Sequence, residues 1–352
     1  MKPLLKRTGI LIIALSAAGC AERSITDAPG VKDASSIVPS FAVLPGAQVA
    51  INFEPLSAGA WYVPGPIHLQ DDWTSFGAAS TGSFCAVYDH QVVLNSSGSY
   101  SYPTFGSQSL RLSNAVVSGC FGDQTFSKRL EHAAGESGDD PSAFEVTPGT
   151  PRNHFEAQWD FASTVPGAEQ PNLSVVASPD RGDGSRMSWV QMTDTPEGID
   201  INFFDVQGTD NPANFVGPTN VASGLDRTVP HTIRITMDFV DGPSNDVVRV
   251  YVDGALRHTG TSWENYFRYD TEAAAYGGKP PIVNRILFRT GGGPDQAAPA
   301  SLGKGFVFDA FSMESGTAPT NAEQCKKGGW QTFDSPAFKN QGDCIQFVNT
   351  GK

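Results

Sequence analysis

Short apolar runs with a period of two are the feature that most constrains the fold of this chain. From about Val49 to Met313, short segments alternate apolar and polar side chains and are separated by Gly, Pro, Asn and Asp. In the run HFEAQWDF (154–161), the Phe, Ala and Trp side chains take one face, and the His, Glu, Gln and Asp side chains take the other. Because successive side chains of a strand point to opposite faces, each run predicts a strand that buries only one face.

Ten segments carry this pattern. They lie at 49–54, 109–115, 154–161, 173–178, 186–192, 199–206, 231–240, 246–254, 285–290 and 305–313. Half-buried strands without helical partners must pack sheet against sheet. We therefore expect an all-β fold, an antiparallel two-sheet sandwich of the jelly-roll type, over residues 47–314. The 37 Gly and 25 Pro residues, with only 17% charged residues, suit strands joined by turns and disfavour a helical bundle.

The balance of charge argues against nucleic acid as a partner. The chain has 37 acidic and 24 basic residues, which gives a formal net charge of −13. No block of Lys and Arg is long enough to follow a phosphate backbone. The sequence also has no nucleophile elbow, phosphate-binding Gly loop, HExxH motif or dinucleotide fingerprint.

Residues 1–19 are predicted to be a signal peptide, in which three basic residues precede an apolar run too short to cross a bilayer. The stretch LSAAGC, ending at Cys20, resembles the lipobox of bacterial lipoproteins, although Ala17 stands where that family usually has Leu. The resemblance implies an exported protein that touches the membrane only through a lipid on Cys20, with residues 20–46 as anchor and flexible tether. Ala21, a residue other than Asp, implies delivery to the outer membrane or cell surface. The alternative is an ordinary secretory leader with an incidental cysteine.

The remaining four cysteines, an even number in an oxidising compartment, predict two disulfides. Their positions pair Cys85 with Cys120 and Cys325 with Cys344. A linker at 315–320 separates the last pair from the sandwich. The C-terminal segment, 321–352, resembles a short cysteine-bracketed tail found on diverse exported bacterial proteins. Its aromatic residues predict a small hairpin that the disulfide closes, because so small a core needs a covalent link.

Three parts of the chain resemble the concanavalin A-like lectin/glucanase and laminin G-like class of sandwich domains. They are INFE (51–54) with FGSQSLRLSN (105–114), then VRVYVDGALRHTG (248–260), and finally GFVFDAFSM (305–313). The resemblance covers roughly residues 49–314. It implies one of the functions of that class, which includes sugar-binding modules, glycoside hydrolases, polysaccharide lyases and adhesion domains. The fold cannot choose among these functions, so the choice depends on the residues of a site.

The segment TSWENYFRYD (261–270) is the first candidate carbohydrate site. Exposed rings of Trp263, Tyr266 and Tyr269 could stack on the apolar face of a sugar, and Arg268 could bond its hydroxyls. The alternative is that these rings cover one open end of the core. The segment is also similar to the YFK-type strand of alginate lyases, which would make Tyr266, Arg268 and Tyr269 catalytic, but no histidine partner of the QxH type accompanies it. A second aromatic candidate consists of Trp61, Tyr62 and Trp73.

Several acidic residues are placed where they could serve hydrolysis or bind a metal ion. Glu156 and Asp160 share a strand face but stand about 13 Å apart, whereas a retaining glycosidase needs carboxylates about 5–5.5 Å apart. Glu54 and Asp309 match positions where many jelly-roll sugar-binding modules hold a structural Ca²⁺, so a calcium ion is expected there. The acids in PDRGDG (180 and 183) and in DFVDGPSND (238–246) are interpreted as ordinary turn residues.

These observations predict a cell-surface lipoprotein whose sandwich recognises an extracellular glycan or a surface protein without catalysis. A polysaccharide-degrading enzyme, more often a lyase than a hydrolase, is the alternative. A structural or adhesive envelope protein is the third possibility. A groove with convergent Arg, Tyr and His favours the lyase, a shallow aromatic patch favours sugar binding, and a flat polar surface favours the structural role.

Overall fold

Antiparallel pairing organises the strands of the computed structural model. The described residues are 43–44, 46–55, 62–75, 89–116, 124–140, 149–275, 281–290 and 298–350. All of them belong to the unit Val38–Lys352. Within them, sixteen strands form a sheet of nine strands, the larger sheet, and a sheet of seven, the smaller sheet. The predicted antiparallel two-sheet sandwich is therefore confirmed.

The strands and helices have the following bounds. The strands are β1 Val49–Ile51, β2 Gly65–Pro66, β3 Thr74–Ser75, β4 His90–Leu94, β5 Gln108–Leu112, β6 Gln124–Phe126, β7 His154–Ser163, β8 Ser174–Asp180, β9 Trp189–Thr195, β10 Gly198–Gln207, β11 Asn214–Leu225, β12 His231–Asp238, β13 Val247–Val252, β14 Ala255–Gly260, β15 Arg285–Thr290 and β16 Phe306–Gly316. The α-helices are α1 Glu264–Tyr269, α2 Thr271–Ala275 and α3 Gln341–Thr350. Among the residues described, no helix is long and apolar enough to cross a bilayer.

The larger sheet has the order β14-β13-β12-β7-β16-β5-β4-β2, and β1 also pairs with β16. The smaller sheet has the order β11-β10-β9-β8-β15-β6-β3. The ten predicted segments all contain strands, whereas β2, β3, β4, β6, β11 and β14 were not predicted. Most of these six are short, β11 contains Gly and Pro, and β14 is largely exposed, so none has a clear apolar face.

The core lies between the two sheets, on the apolar faces that the alternation predicts. Trp159 of β7 meets Phe288 of β15 edge to face, with ring centroids 5.8 Å apart. Phe155 and Phe161, on the same side of β7 as Trp159, are fully buried. Burying such a side chain contributes roughly 1.5–3 kcal/mol of stability. The polar residues of β7 consequently lie on the opposite, outer face of the larger sheet.

A bulge in β16 lets this strand have different neighbours along its length. Its first part, Phe306–Phe308, pairs with β5, and residues 311–313 pair with β1. The pairing with β7 shifts register between Asp309 and Ser312. Ala310, inside the shift, has a positive φ of 47°, which is the local distortion that a bulge requires.

The C-terminal segment is closed by the predicted disulfide Cys325–Cys344, but the predicted hairpin is wrong. The segment contains a 3-10 helix at Lys326–Thr332 and the helix α3. Cys344, Phe347 and Val348 have the i, i+3, i+4 spacing of a helix, which explains the difference. Phe338 packs against Phe347 at 5.5 Å and against Phe333 at 6.2 Å, so the expected aromatic cluster does form.

The predicted boundary between sandwich and tail also changes. Strand β16 continues to Gly316, so the first two residues of the expected linker 315–320 belong to the sheet. Asp334 then fastens the tail, because it accepts hydrogen bonds from the backbone N–H of Thr317 at 2.6 Å and from Arg152 at 3.2 Å. Cys20, Cys85 and Cys120 lie outside the described residues, as do the predicted leader and most of the tether.

Candidate functional site

A row of polar side chains crosses three adjacent strands on the outer face of the larger sheet. We call it the polar row; it comprises His154, Glu156, Gln158, Arg234, Thr236, Asp238, Arg249 and Tyr251. The register places β12 beside β7, with Arg234 opposite Gln158, Thr236 opposite Glu156, and Asp238 opposite His154. It likewise places β13 beside β12, with Tyr251 opposite Arg234 and Arg249 opposite Thr236. Neighbours in sequence, such as Ala157, Ile235 and Val250, face the core.

Ion pairs link the charged members of the polar row. The Nδ1 atom of His154 lies 2.6 Å from Oδ1 of Asp238, and its Nε2 atom lies 3.7 Å from Oε2 of Glu156. Arg234 donates to Glu156 at 3.0 Å, and Arg249 donates to Asp238 at 2.5 Å. The chain of charges therefore runs Arg234, Glu156, His154, Asp238, Arg249, with the signs alternating.

This environment sets the protonation of the row. Burial by itself lowers the pKa of His154, but the hydrogen bonds and charges of Asp238 and Glu156 outweigh it and raise the pKa to about 9. Burial raises the pKa of Glu156, but His154 and Arg234 outweigh this effect, so the pKa falls below its ordinary value. His154 is consequently a cation and Glu156 an anion at neutral pH.

The two arginines at the ends of the row are the members best placed to meet a ligand. The side chain of Arg234 is 32% exposed, and its guanidinium stacks on the ring of Tyr251 with Cζ 3.9 Å from the ring centroid. Stacking and ion pairing fix the guanidinium plane, so its remaining N–H groups are pre-organised. Charged donors and acceptors held at fixed spacing can recognise the hydroxyl groups of a sugar.

The segment 261–270 differs from the turn-rich platform that was predicted. Residues 264–269 form α1, and Trp263 is only 6% exposed. Its indole N–H donates to the carbonyl of Phe204 at 2.9 Å, and its ring contacts Trp189 and Phe215. Trp263 therefore covers the outer face of the smaller sheet and cannot offer a face to a sugar.

Exposed rings remain beside Trp263. Tyr269 is 38% exposed, Tyr266 is half-buried, and Phe215 of β11 is 43% exposed. Phe215 packs against Tyr266 at 5.6 Å. Phe215 and Tyr266 thus form a small aromatic patch, and sequence reasoning missed Phe215 because its strand lacks a clear period.

Arg268 is held by two acidic side chains. It pairs with Glu136 and with Glu264, the latter at 3.3 Å from Nε. With Asp246, these two acids form a group of carboxylates whose ligand atoms lie within 4.8 Å of one another. Both ion pairs engage the guanidinium of Arg268, and its role in binding a sugar stays a prediction.

The other aromatic candidate belongs to the core. Trp73 is fully buried and Tyr62 is 4% exposed, and the indole N–H of Trp73 donates to the Tyr62 hydroxyl at 3.0 Å. The Tyr62 hydroxyl in turn donates to Asp71 at 3.0 Å. Trp61, the third member of this candidate, lies outside the described residues.

Glu54 and Asp309 meet at one turn, as the calcium prediction requires, but they act there as hydrogen-bond acceptors. Glu54 accepts from the hydroxyl of Ser107 and from the backbone N–H of Gln108, and Asp309 accepts from the N–H of Gly106 at 3.1 Å. In the part of the chain that the structure describes, no third carboxylate, His or Cys joins them at ligand spacing. Calcium at this pair stays a prediction.

Asp160 stands opposite Asp309 on the neighbouring strand. Its Oδ1 accepts from the hydroxyl of Thr232 at 2.5 Å, while its buried Oδ2 has no hydrogen-bond partner. Burial, with a contribution from the charge of Asp253, raises the pKa of Asp160 to about 7. Glu156 and Asp160 thus have separate partners, which agrees with the expectation that they are not a catalytic pair.

Comparisons with known proteins add no family. No known family profile matches the chain, and no curated protein matches it. Among solved structures, it is similar to an alginate lyase mutant in complex with alginate trisaccharide, with 8% identity over 76% of this chain and 98% of that chain, and a TM-score of 0.43. Alginate lyase PA1167 from Pseudomonas aeruginosa shares 10% identity over 68% and 91%, with a TM-score of 0.35. Basic winged bean lectin with Tn-antigen shares 12% over 70% and 92%, with a TM-score of 0.34. At these values the function has to be argued from the chain's own residues.

Proposed function

We propose that the protein is an exported lipoprotein, anchored through Cys20, that binds an extracellular glycan on the polar row without catalysis. The observation that carries the proposal is the alternating chain of charges from Arg234 to Arg249 on the outer face of the larger sheet. Structural roles alone do not require five charged side chains on the solvent side of three strands. Two of the five, the arginines, also keep part of their surface exposed.

The charges favour a neutral or weakly charged glycan over a strongly acidic one. His154, Arg234 and Arg249 are balanced in large part by Glu156 and Asp238. A uronate carboxylate at the centre of the row would meet these two carboxylates as well as the cations. Sugar hydroxyls, in contrast, can donate to the acids and accept from the arginines at the same time.

A lyase is the second candidate, because Arg234, Tyr251 and His154 lie on one face, where such an enzyme would place its groups. The protonation of the row argues against it. A charged His154 has no lone pair with which to remove a proton, and Glu156, with its lowered pKa, is a weak base. Burial also raises the pKa of Tyr251, so its hydroxyl stays protonated at neutral pH.

Retention of the purified protein on immobilised neutral and uronate-containing polysaccharides tests the proposal, with absorbance at the unsaturated-uronate band followed in the same wells. Arg234→Gln is expected to reduce retention at least tenfold, since it removes both the ion pair with Glu156 and the stacked guanidinium. Arg257→Gln is the matched control, because Arg257 is exposed on β14, outside the row.

Three results would contradict the proposal. Loss of retention in Tyr266→Ala but not in Arg234→Gln would move the site to the aromatic patch. A rise in absorbance would establish the lyase. Equal retention of the protein and of Arg234→Gln across the panel would leave the polar row without a ligand and favour the structural role.

A further inference from the structure

A group of buried acids lies outside the polar row, where α1 meets two loops. Glu136, Asp246 and Glu264 are at most 7% exposed, and one carboxylate oxygen of each lies within 4.8 Å of the others. Two ligands on opposite sides of a calcium ion, each at 2.3–2.6 Å, are at most about 5.2 Å apart. The spacing of these three oxygens is therefore compatible with a single ion of that size.

The charge of this group is only partly balanced. Arg268 pairs with Glu136 and Glu264, but no basic side chain pairs with Asp246 among the described residues. Three ionised carboxylates beside one guanidinium would carry an excess of negative charge, which a bound divalent cation would neutralise. Buried charges in proteins are paired or bind metal ions, because an isolated buried ion is costly.

The acids retain acceptor capacity. Together they have about twelve lone-pair positions. The described donors include the backbone N–H of Gly242 to Glu136, the N–H of Val240 to Asp246, and the N–H groups of Asn245 and Asp246 to Glu264. Even with Arg268 and the Ser262 hydroxyl added, positions remain for a cation.

A second observation points to a ligand at the same place. Asn265 is 3% exposed, and its Oδ1 atom has no hydrogen-bond partner. Its Nδ2 atom donates to the carbonyl of Gly208 at 2.6 Å, which fixes the orientation of the amide and leaves the oxygen as the free atom. Asn265, Glu264 and Ser262 line one small cavity, and the Ser262 hydroxyl donates to Asp246 at 2.6 Å. The cavity that Asn265 lines therefore borders Glu264 directly, and it borders Asp246 through the Ser262 hydroxyl.

From this geometry we infer a divalent-cation site, suited to Ca²⁺, formed by Glu136, Asp246 and Glu264 with the cavity beside Asn265. The donors are carboxylate, amide and hydroxyl oxygens, with no thiolate or imidazole among them, and such donors suit Ca²⁺ rather than zinc. The ion would join α1 to the loops at 136–140 and 240–246. The site is independent of the proposed glycan surface and of the calcium expected at Glu54 and Asp309.

Calorimetric titration of the chelator-treated full chain with CaCl₂ tests the inference, with the melting temperature measured in the same buffers. Asp246→Asn can still accept from the backbone N–H of Val240 and donate to the Ser262 hydroxyl, and it is expected to weaken Ca²⁺ binding at least tenfold. Glu131→Gln, at an exposed acid outside the group, is the matched control and is expected to change the affinity less than twofold. Where Asp246→Asn fails to fold, Glu136→Gln serves as the second variant with the same expected loss.

Terbium luminescence locates the ion independently, since Trp263 precedes Glu264 in the chain. Trp263→Phe is expected to lower the terbium emission sensitised by tryptophan while Ca²⁺ affinity stays within twofold. The inference is overturned if the wild-type chain shows no heat of binding and no rise in melting temperature at millimolar Ca²⁺. It is also overturned if Ca²⁺ binding is lost in Asp309→Asn and kept in Asp246→Asn.

Discussion

Replacing His154 with Gln tests whether the polar row contains a charged imidazole. The pKa of His154 is about 9 in the folded protein, against 6.5 for an ordinary His. Because the folded value is the higher one, ionisation of His154 stabilises the fold fully below pH 6.5, and this contribution is lost as the pH rises through 9. With these two values, linkage gives about 2–3 kcal/mol at pH 7 and almost nothing at pH 10. His154→Gln should therefore lower stability at pH 7 and approach the wild type at pH 10.

Urea unfolding at intervals from pH 6 to pH 10 measures this difference as a free energy of unfolding. At pH 7 the loss corresponds to a fall in melting temperature of about 5 °C for a domain of this size. His132→Gln, at a half-buried position outside the row, provides the baseline for changing a histidine elsewhere. If His154→Gln lowered the free energy of unfolding by the same amount at every pH, packing and not charge would account for the contribution of His154. An imidazole NMR titration of His154 with a midpoint below 7 would refute the reasoning directly.

Three further outcomes are expected. The stability of Asp160→Asn relative to the wild type should rise by roughly 2–3 kcal/mol from pH 5 to pH 8, because a carboxyl whose pKa is raised from 3.8 to about 7 resists the ionisation that the unfolded chain undergoes. Urea midpoints at the two pH values measure this, and a difference between variant and wild type that stays constant would count against it. Trp263→Ala should lower the free energy of unfolding by about 3–5 kcal/mol, since the ring is buried. An unchanged melting temperature would indicate that the ring is exposed to solvent. Cys20→Ser should move the protein from the membrane to the soluble fraction of detergent-free lysates, and continued sedimentation with membranes would remove the lipid anchor.

The sequence predicted the fold well because alternation is a local property of each strand. HFEAQWDF alone identifies β7 and assigns Trp159 to the core. Strands such as β11 and β14 were missed because an edge strand buries little, and its sequence has no apolar face to reveal it.

The site was harder to predict because it depends on register. Arg234 and Glu156 are 78 positions apart, and only the pairing of β12 with β7 brings them together. The alternation in the segment 246–254 does predict that Arg249 and Tyr251 point away from the core. It does not predict that they lie beside Asp238 and Arg234, because that depends on the strand pairing. Trp263 illustrates the converse error. An aromatic residue in a polar segment suggested an exposed ring, whereas Trp263 packs against Trp189 and Phe215 on the outer face of the smaller sheet.

The partner change along β16 has a mechanical consequence. Gln48, just before β1, donates its N–H to the carbonyl of Met313 at 3.0 Å, and β16 ends three residues later, where the tail departs. The chain thus enters and leaves the larger sheet within roughly 10 Å of strand. Tension on the segment before β1 would pass into β16 and from there directly into β7, the strand that carries His154 and Glu156. A force applied just before β1 would therefore act on β16, the strand next to the one that carries His154 and Glu156. The C-terminal tail leaves β16 at the same end of the domain.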